Sequence, residues 1–189
     1  MNVVKASSSI VLISALSFGV ASADDDEIFT SCTSAAIEAA EAYDPGSSAV
    51  TNCIGVRDDF NVVMAWNSKA TNGNILKNTG QAVGQQVVNA RNLTRDYKNN
   101  YGMQQGDEYG MVVVAYAGGV DWLKKDNDQA DINMVNNLMA QGVKVYACQN
   151  TMKGKGLKIA DLIDGVEIVP AGVSAVIDFS TRGFTYINP

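Results

Sequence analysis

The sequence predicts an α/β fold: a three-layer α/β/α domain around a mostly parallel sheet of five strands. Three observations carry that expectation. From Phe60 onward, short runs of Val, Ile, Met and Ala recur, as in strands buried on both faces. Longer stretches with apolar residues at helical spacing separate them. Glycine or asparagine stands at many of the boundaries. Strands alternating with helices imply parallel pairing through crossovers that place helices on the sheet faces.

Taken in order, residues 24–57 read as an acidic leader and a short helix, Ser34 to Tyr43, stopped by Asp44-Pro45-Gly46. The first strand is Asn61–Trp66, with Val62-Val63-Met64-Ala65 at its centre. A polar loop follows from Asn67 to Asn78. Thr79 can then cap a helix to about Asn99, with Val83, Val87, Ala90 and Leu93 on its apolar side. The second strand, Tyr109–Ala117, is broken by Gly118-Gly119. A helix at Asp131–Gln141 places Ile132, Val135 and Leu138 on one face and stops at Gly142. The third strand is Val143–Cys148. A short helix is expected around Leu157–Ile163, a fourth strand at Val166–Val169, a helix at about Val173–Thr181, and a last strand at Phe184–Ile187. Ligand sites in such sheets lie beyond the carboxyl ends of the strands. The loop starting at Asn67, Gly118-Gly119, and Cys148-Gln149-Asn150-Thr151 all fall there.

The first 23 residues read as a secretory signal peptide. Lys5 is the only charge before Asp24, Ile10–Val20 is mostly apolar, and Ala21-Ser22-Ala23 offers a small-x-small cleavage site. A membrane anchor is the competing reading. Ser7, Ser8, Ser9, Ser14, Ser17 and Gly19 dilute the uncharged stretch from Ala6 to Ala23 below what a spanning helix needs. The expected organisation is therefore a signal peptide (1–23), an N-terminal extension (24–57) and an α/β domain (58–189). The mature protein is expected in the periplasm or secreted, with no membrane association once the signal is removed.

Composition excludes several chemistries. The 189 residues contain no histidine, so His-assisted nucleophilic catalysis and imidazole metal ligation are absent. A net charge of −6 gives no general attraction for nucleic acid. There is no GxGxxG or GxxxxGK[ST] motif, and no cofactor or metal is expected. Asp24-Asp25-Asp26-Glu27 reads as a solvated start of the mature chain, and Asn92-Leu93-Thr94 as a glycosylation pattern inside a helix. Trp66, Trp122 and Tyr116 read as core or pocket lining.

Three cysteines leave at least one without an intrachain partner. In an exported chain the most economical bridge is Cys32–Cys53, worth about 3 kcal/mol in the chain-entropy account. A bridge using Cys148, or three reduced thiols, are the alternatives. Cys148 is the nucleophile candidate with positional support. Lys153, Lys155 and Lys158 follow it and are candidates to stabilise a thiolate. The competing reading is an inert, buried small hydrophobe.

Val112-Val113-Val114-Ala115-Tyr116-Ala117-Gly118-Gly119-Val120, Val143-Lys144-Val145-Tyr146-Ala147-Cys148-Gln149-Asn150-Thr151, Val169-Pro170-Ala171-Gly172-Val173 and the ending Gly183–Pro189 occur in an order and spacing that resemble the DsrE/DsrF-like family, in its exported branch. The resemblance spans about Asn61 to Pro189. It implies a DsrE-like domain, flavodoxin-like in appearance and usually oligomeric, in which Cys148 accepts sulfane sulfur as a persulfide. Asn150 and Thr151 would shape the cysteine turn, and Gly118 and Gly119 would border the pocket, with Gln149 and Asn67 nearby. The implied partners are a sulfur donor or acceptor protein, or a small sulfur compound, and a second copy of the chain. The alternative function is a non-catalytic small-ligand-binding or oligomeric assembly module.

Overall fold

The computed structural model describes residues 29–30, 32–51, 53–54, 60–71 and 83–189. The expected signal peptide, the acidic run 24–27, the cap at Thr79 and the end of the polar loop lie outside the described residues.

The described part of residues 24–57 holds a two-stranded ribbon and one α-helix. Strands β1 (Phe29–Thr30) and β2 (Cys53–Ile54) pair antiparallel around helix α1 (Ser34–Tyr43), a ribbon the sequence reading did not anticipate. Thr33 caps α1, its hydroxyl accepting from the Ala36 N–H at 3.3 Å. Gly46, at φ 90°, turns the chain after the helix, and its N–H donates to Glu41. A disulfide joins Cys32, just before α1, to Cys53 on β2, with Cα atoms 5.2 Å apart. This is the economical pairing, and Cys148 remains a free, buried thiol.

The main sheet contains β3 (Phe60–Trp66), β4 (Tyr109–Ala115), β5 (Lys144–Cys148), β6 (Glu167–Val169) and β7 (Phe184–Ile187), all parallel, in the order β6-β5-β4-β3-β7. The expected strands are all present, within one or two residues at their ends. Val62 to Trp66 and Met111 to Ala115 are buried on both faces, which explains the unbroken apolar runs. Between the strands run α2 (Gln85–Asn100), α3 (Gln129–Ala140), α4 (Gln149–Lys155) and α5 (Gly172–Thr181). Thr94 of the glycosylation pattern is buried inside α2.

Three expectations need correction. The helix expected from Thr79 begins at Gln85, with Gly84 as its N-cap and Val83 ahead of it. The helix after β5 is not at Leu157–Ile163 but starts at once, at Gln149. Gly156 (φ 69°) ends it, and only a single 3-10 turn, Ile159–Asp161, follows. Leu162 and Ile163 are apolar because this loop is pinned into the core, with the Ile163 N–H on the Leu123 carbonyl. The second strand stops at Ala115, and Ala117–Leu123 forms a 3-10 segment.

The helices are divided unequally between the sheet faces. Three successive steps, β3 to β4 to β5 to β6, advance in one direction. The last step returns past them to set β7 beside β3. Met64, Trp66, Met111 and Val113 pack with Val87, Val135, Leu138 and Met152, so α2, α3 and α4 share one face. Val63, Ala65, Val112 and Val114 pack with Val176 of α5 on the other. Among the described residues no helix is long and apolar enough to cross a membrane.

Candidate functional site at the carboxyl end of the sheet

Cys148 is the last residue of β5 and the residue preceding α4, so strand and helix together fix it. Only 5% of its surface is exposed. Strand alternation turns it, with Tyr146, toward the α5 face, while Val145 and Ala147 enter the opposite core. Met152 of α4 is buried with α2 and α3 in that opposite core.

The sulfur sits among hydrogen-bond donors. The Gly172 N–H, at the start of α5, donates to Cys148 Sγ at 3.1 Å. Burial pushes the thiol up. That effect is outweighed by the Thr151 hydroxyl and the backbone N–H groups of Thr151, Gly172 and Asn150, which hold the thiol below its ordinary value. The physical cause is direct: each donor gains more from a thiolate than from a thiol.

Two strand ends and two helices build this cradle. The Asn150 N–H also reaches the Pro170 carbonyl at 3.3 Å, tying α4 to the end of β6. Thr151 Oγ1 accepts from the Ala117 N–H at 3.1 Å, which leaves its proton for the sulfur. Ala117 holds a left-handed conformation, φ 46°, that costs a non-glycine residue about 1–2 kcal/mol. That turn aims its amide across to α4. Gly172 has no room for a side chain: a Cβ there would lie 2.7 Å from Tyr116 Cβ and 3.1 Å from Cys148 Cβ.

The sequence-derived residues fall into two groups. Cys148, Asn150 and Thr151 meet at the sulfur, although the Asn150 side chain, like that of Gln149, is exposed. Gly118 and Gly119 follow Ala117 and let two loops touch. The Gly118 N–H donates to the Asn67 carbonyl at 3.1 Å, and a Cβ on Gly119 would meet the Trp66 carbonyl. Asn67 itself follows β3, with β4 between it and the cysteine strand. Its Oδ1 accepts from Gln86 Nε2 at 3.1 Å, so its side chain serves the α2 junction.

The lysines do not supply the activation expected of them. Lys155 Nζ pairs with Asp121 at 2.8 Å, and Lys153 and Lys158 are exposed. Neutral amides and one hydroxyl act on the thiol in their place. Among the described residues no group of three or more Cys, Asp or Glu is placed to hold a metal. Clefts of about 690 Å³, between α1 and α2, and about 490 Å³, at the amino-terminal edge of the sheet, lie away from Cys148.

Sequence reasoning left Gly172 and Ala117 unassigned to the sulfur site, and it missed Gln86. Gly172 carried a signal: a small residue after Val169-Pro170, where a strand turns into a helix. Ala117 and Gln86 carried none. Gln86 is a buried amide that accepts from the Ser68 N–H and donates to the Ala65 carbonyl and to Asn188.

Comparison with known proteins adds three findings. Residues 77–189 match the DsrE/DsrF-like family. Among solved structures, MTH1491 from Methanobacterium thermoautotrophicum, described as a protein of unknown function, is 29% identical with a TM-score of 0.54. That likeness covers 69% of this chain and 100% of MTH1491. The ychN protein from E. coli is 20% identical, with a TM-score of 0.49, over 68% of this chain and 97% of that one. No curated protein matches.

Proposed function

The chain belongs to the DsrE/DsrF-like family, and from that premise we propose that it is an exported sulfur carrier, holding sulfane sulfur as a persulfide on Cys148. The observation that carries this reading is the donor cradle around Sγ. A buried cysteine meant only to fill space gains nothing from four hydrogen-bond donors.

The step is a sulfur exchange that needs no external oxidant. Cys148 thiolate attacks the outer sulfur of a persulfide R–S–SH. The Cys148–sulfur bond forms, the donor's S–S bond breaks, and its electron pair leaves on R–S⁻. The products are Cys148–S–SH and R–S⁻, so atoms and charge balance. The donors that favour the thiolate also favour a bound persulfide anion, and transfer to an acceptor thiol runs the same step in reverse.

Export is part of the proposal. A signal peptide at 1–23, an extension at 24–57 and a DsrE-like domain at 58–189 agree with the Cys32–Cys53 disulfide, a bond suited to a periplasmic or extracellular location. The partners are a donor or acceptor of sulfane sulfur and a second copy of the chain. Self-association is supported by α5, the single helix over its face of the sheet among the described residues, which leaves Val173 and Ile177 59% and 56% exposed one turn apart.

Intact mass under non-reducing conditions tests the reading. Incubation with glutathione persulfide is expected to add about 32 Da, one sulfur atom, to the wild type and nothing to Cys148→Ser. The same spectrum is expected to show a chain beginning at Asp24 with one disulfide. Absence of an adduct from persulfide, polysulfide and thiosulfate alike would reject the carrier and favour a binding or assembly module.

A further inference from the structure

A second polar chain begins in the core and ends beside the sulfur. Gln86, buried in the first turn of α2, donates from Nε2 to Asn188 Oδ1 at 3.4 Å. The side chains of Asn188 and Tyr116 both hydrogen-bond that of Tyr186. Tyr116 immediately follows β4. Val114 pairs with Tyr146 and Ala115 with Ala147, so the next position along β4 stands beside Cys148 on the same face. Gly172 lies between these two residues, too close to both to carry a side chain, with its N–H on Sγ.

We propose that Tyr116 is a positioning residue for Cys148: it clamps Gly172 so that the amide stays on the sulfur, and is itself held by Tyr186 and Asn188. The clamp matters because a charge-assisted N–H···S bond weakens quickly as its geometry slackens. Without the Tyr116 ring, whose Cδ1 would lie 3.2 Å from a Cβ on Gly172, the start of α5 is walled only by the Cβ atoms of residues 116 and 148. The inference rests on the reading of Cys148 as the reactive group. It adds the device that sets how reactive that group is.

The charged and titratable groups on the surrounding elements leave this role open to Tyr116. On β5 and β6, Lys144 and Glu167 pair with each other, and Tyr146 lies two residues before the cysteine. Lys155 on α4 is paired with Asp121 of the 3-10 segment, Lys153 is exposed, and Asp178 lies in the second half of α5.

The test is the rate of Cys148 alkylation by iodoacetamide against pH, on the disulfide-intact protein, where Cys148 is the free thiol. Tyr116→Ala is expected to raise the midpoint by about 0.5–1 unit, or about three- to tenfold less thiolate below the midpoint. Tyr116→Phe and Tyr186→Phe keep the rings and each remove the same hydroxyl contact. Each is expected to move the midpoint upward by a smaller amount, and the double variant by no more than either single one. An unchanged midpoint in folded Tyr116→Ala would overturn the clamp, as would additive shifts in the two phenylalanine variants. If Tyr116→Ala does not fold, the phenylalanine variants decide alone. Sulfur loading is read separately by mass. A wild type that takes up no sulfur while the midpoints shift removes the carrier and leaves the clamp standing.

Discussion

Gly172 shows how much one missing methyl group decides. Its amide reaches Cys148 Sγ only because no Cβ holds the helix start away from Tyr116 and the cysteine. Gly172→Ala is expected to displace that amide and raise the thiol's midpoint, slowing alkylation at pH 7 by about three- to tenfold, as stopped-flow or mass-resolved alkylation would report. A stability effect accompanies it. The thiol is lowered in the folded protein, so between its folded value and the ordinary thiol range the unfolded chain binds more protons. Stability therefore rises with pH across that window and is lost as pH falls through the folded value. Gly172→Ala is expected to flatten this rise in denaturant titrations at pH 6 to 9. At this scale the sequence made Cys148 and Thr151 legible, because a cysteine at a strand end stands out in a chain without histidine. It could not show Ala117, whose left-handed backbone is imposed by the contacts across to α4.

Elements meet through polar groups that patterning does not mark. Asp131, in the first turn of α3, is buried, and its Oδ1 accepts from the Gly84 N–H at 3.3 Å, just before α2. Burial, first, and the Asp128 charge push its carboxyl up, against the pull of the Gly84 amide and Lys69. A raised folded value gives a contribution that is fully present below the ordinary carboxylate range and is lost as pH rises through the folded value. Asp131→Asn keeps an acceptor for Gly84 and removes the titration. The variant is expected to gain stability relative to wild type as pH rises from about 4 to 7, measured by urea unfolding. A constant difference across that range would show that the carboxylate is not penalised. Strands and long helices were legible at this scale because buried strands need unbroken apolar runs and α2 and α3 need one apolar face. The helix at Leu157–Ile163 was misplaced for a related reason. Apolar spacing reports burial, and Leu162 and Ile163 are buried from a loop.

At the scale of the whole molecule, the unequal helix layers bear on the proposed self-association. Among the described residues, helices α2, α3 and α4 cover one sheet face and α5 alone serves the other, with Val173 and Ile177 turned outward and Tyr186 half exposed on β7. Ile177→Asp is expected to leave the single-chain fold unchanged, since its side chain is already largely exposed, and to convert the assembly to a smaller species in light scattering coupled to size exclusion. Wild type and variant of equal mass would remove α5 as the contact. By itself, the sequence determined the strand and helix succession, the parallel sheet, the cysteine at a strand's carboxyl end, and the economy of a Cys32–Cys53 bridge. These are local or near-local, set by periodicity, turn residues and short loop closure. Only the tertiary structure decided that, among the described helices, α5 covers a face alone, that Gly172 and Thr151 serve the sulfur in place of lysines, and that a chain from Gln86 through Asn188 and Tyr186 reaches Tyr116. Those contacts join residues far apart in the chain, and their strength depends on distances and burial that exist only once the sheet has closed.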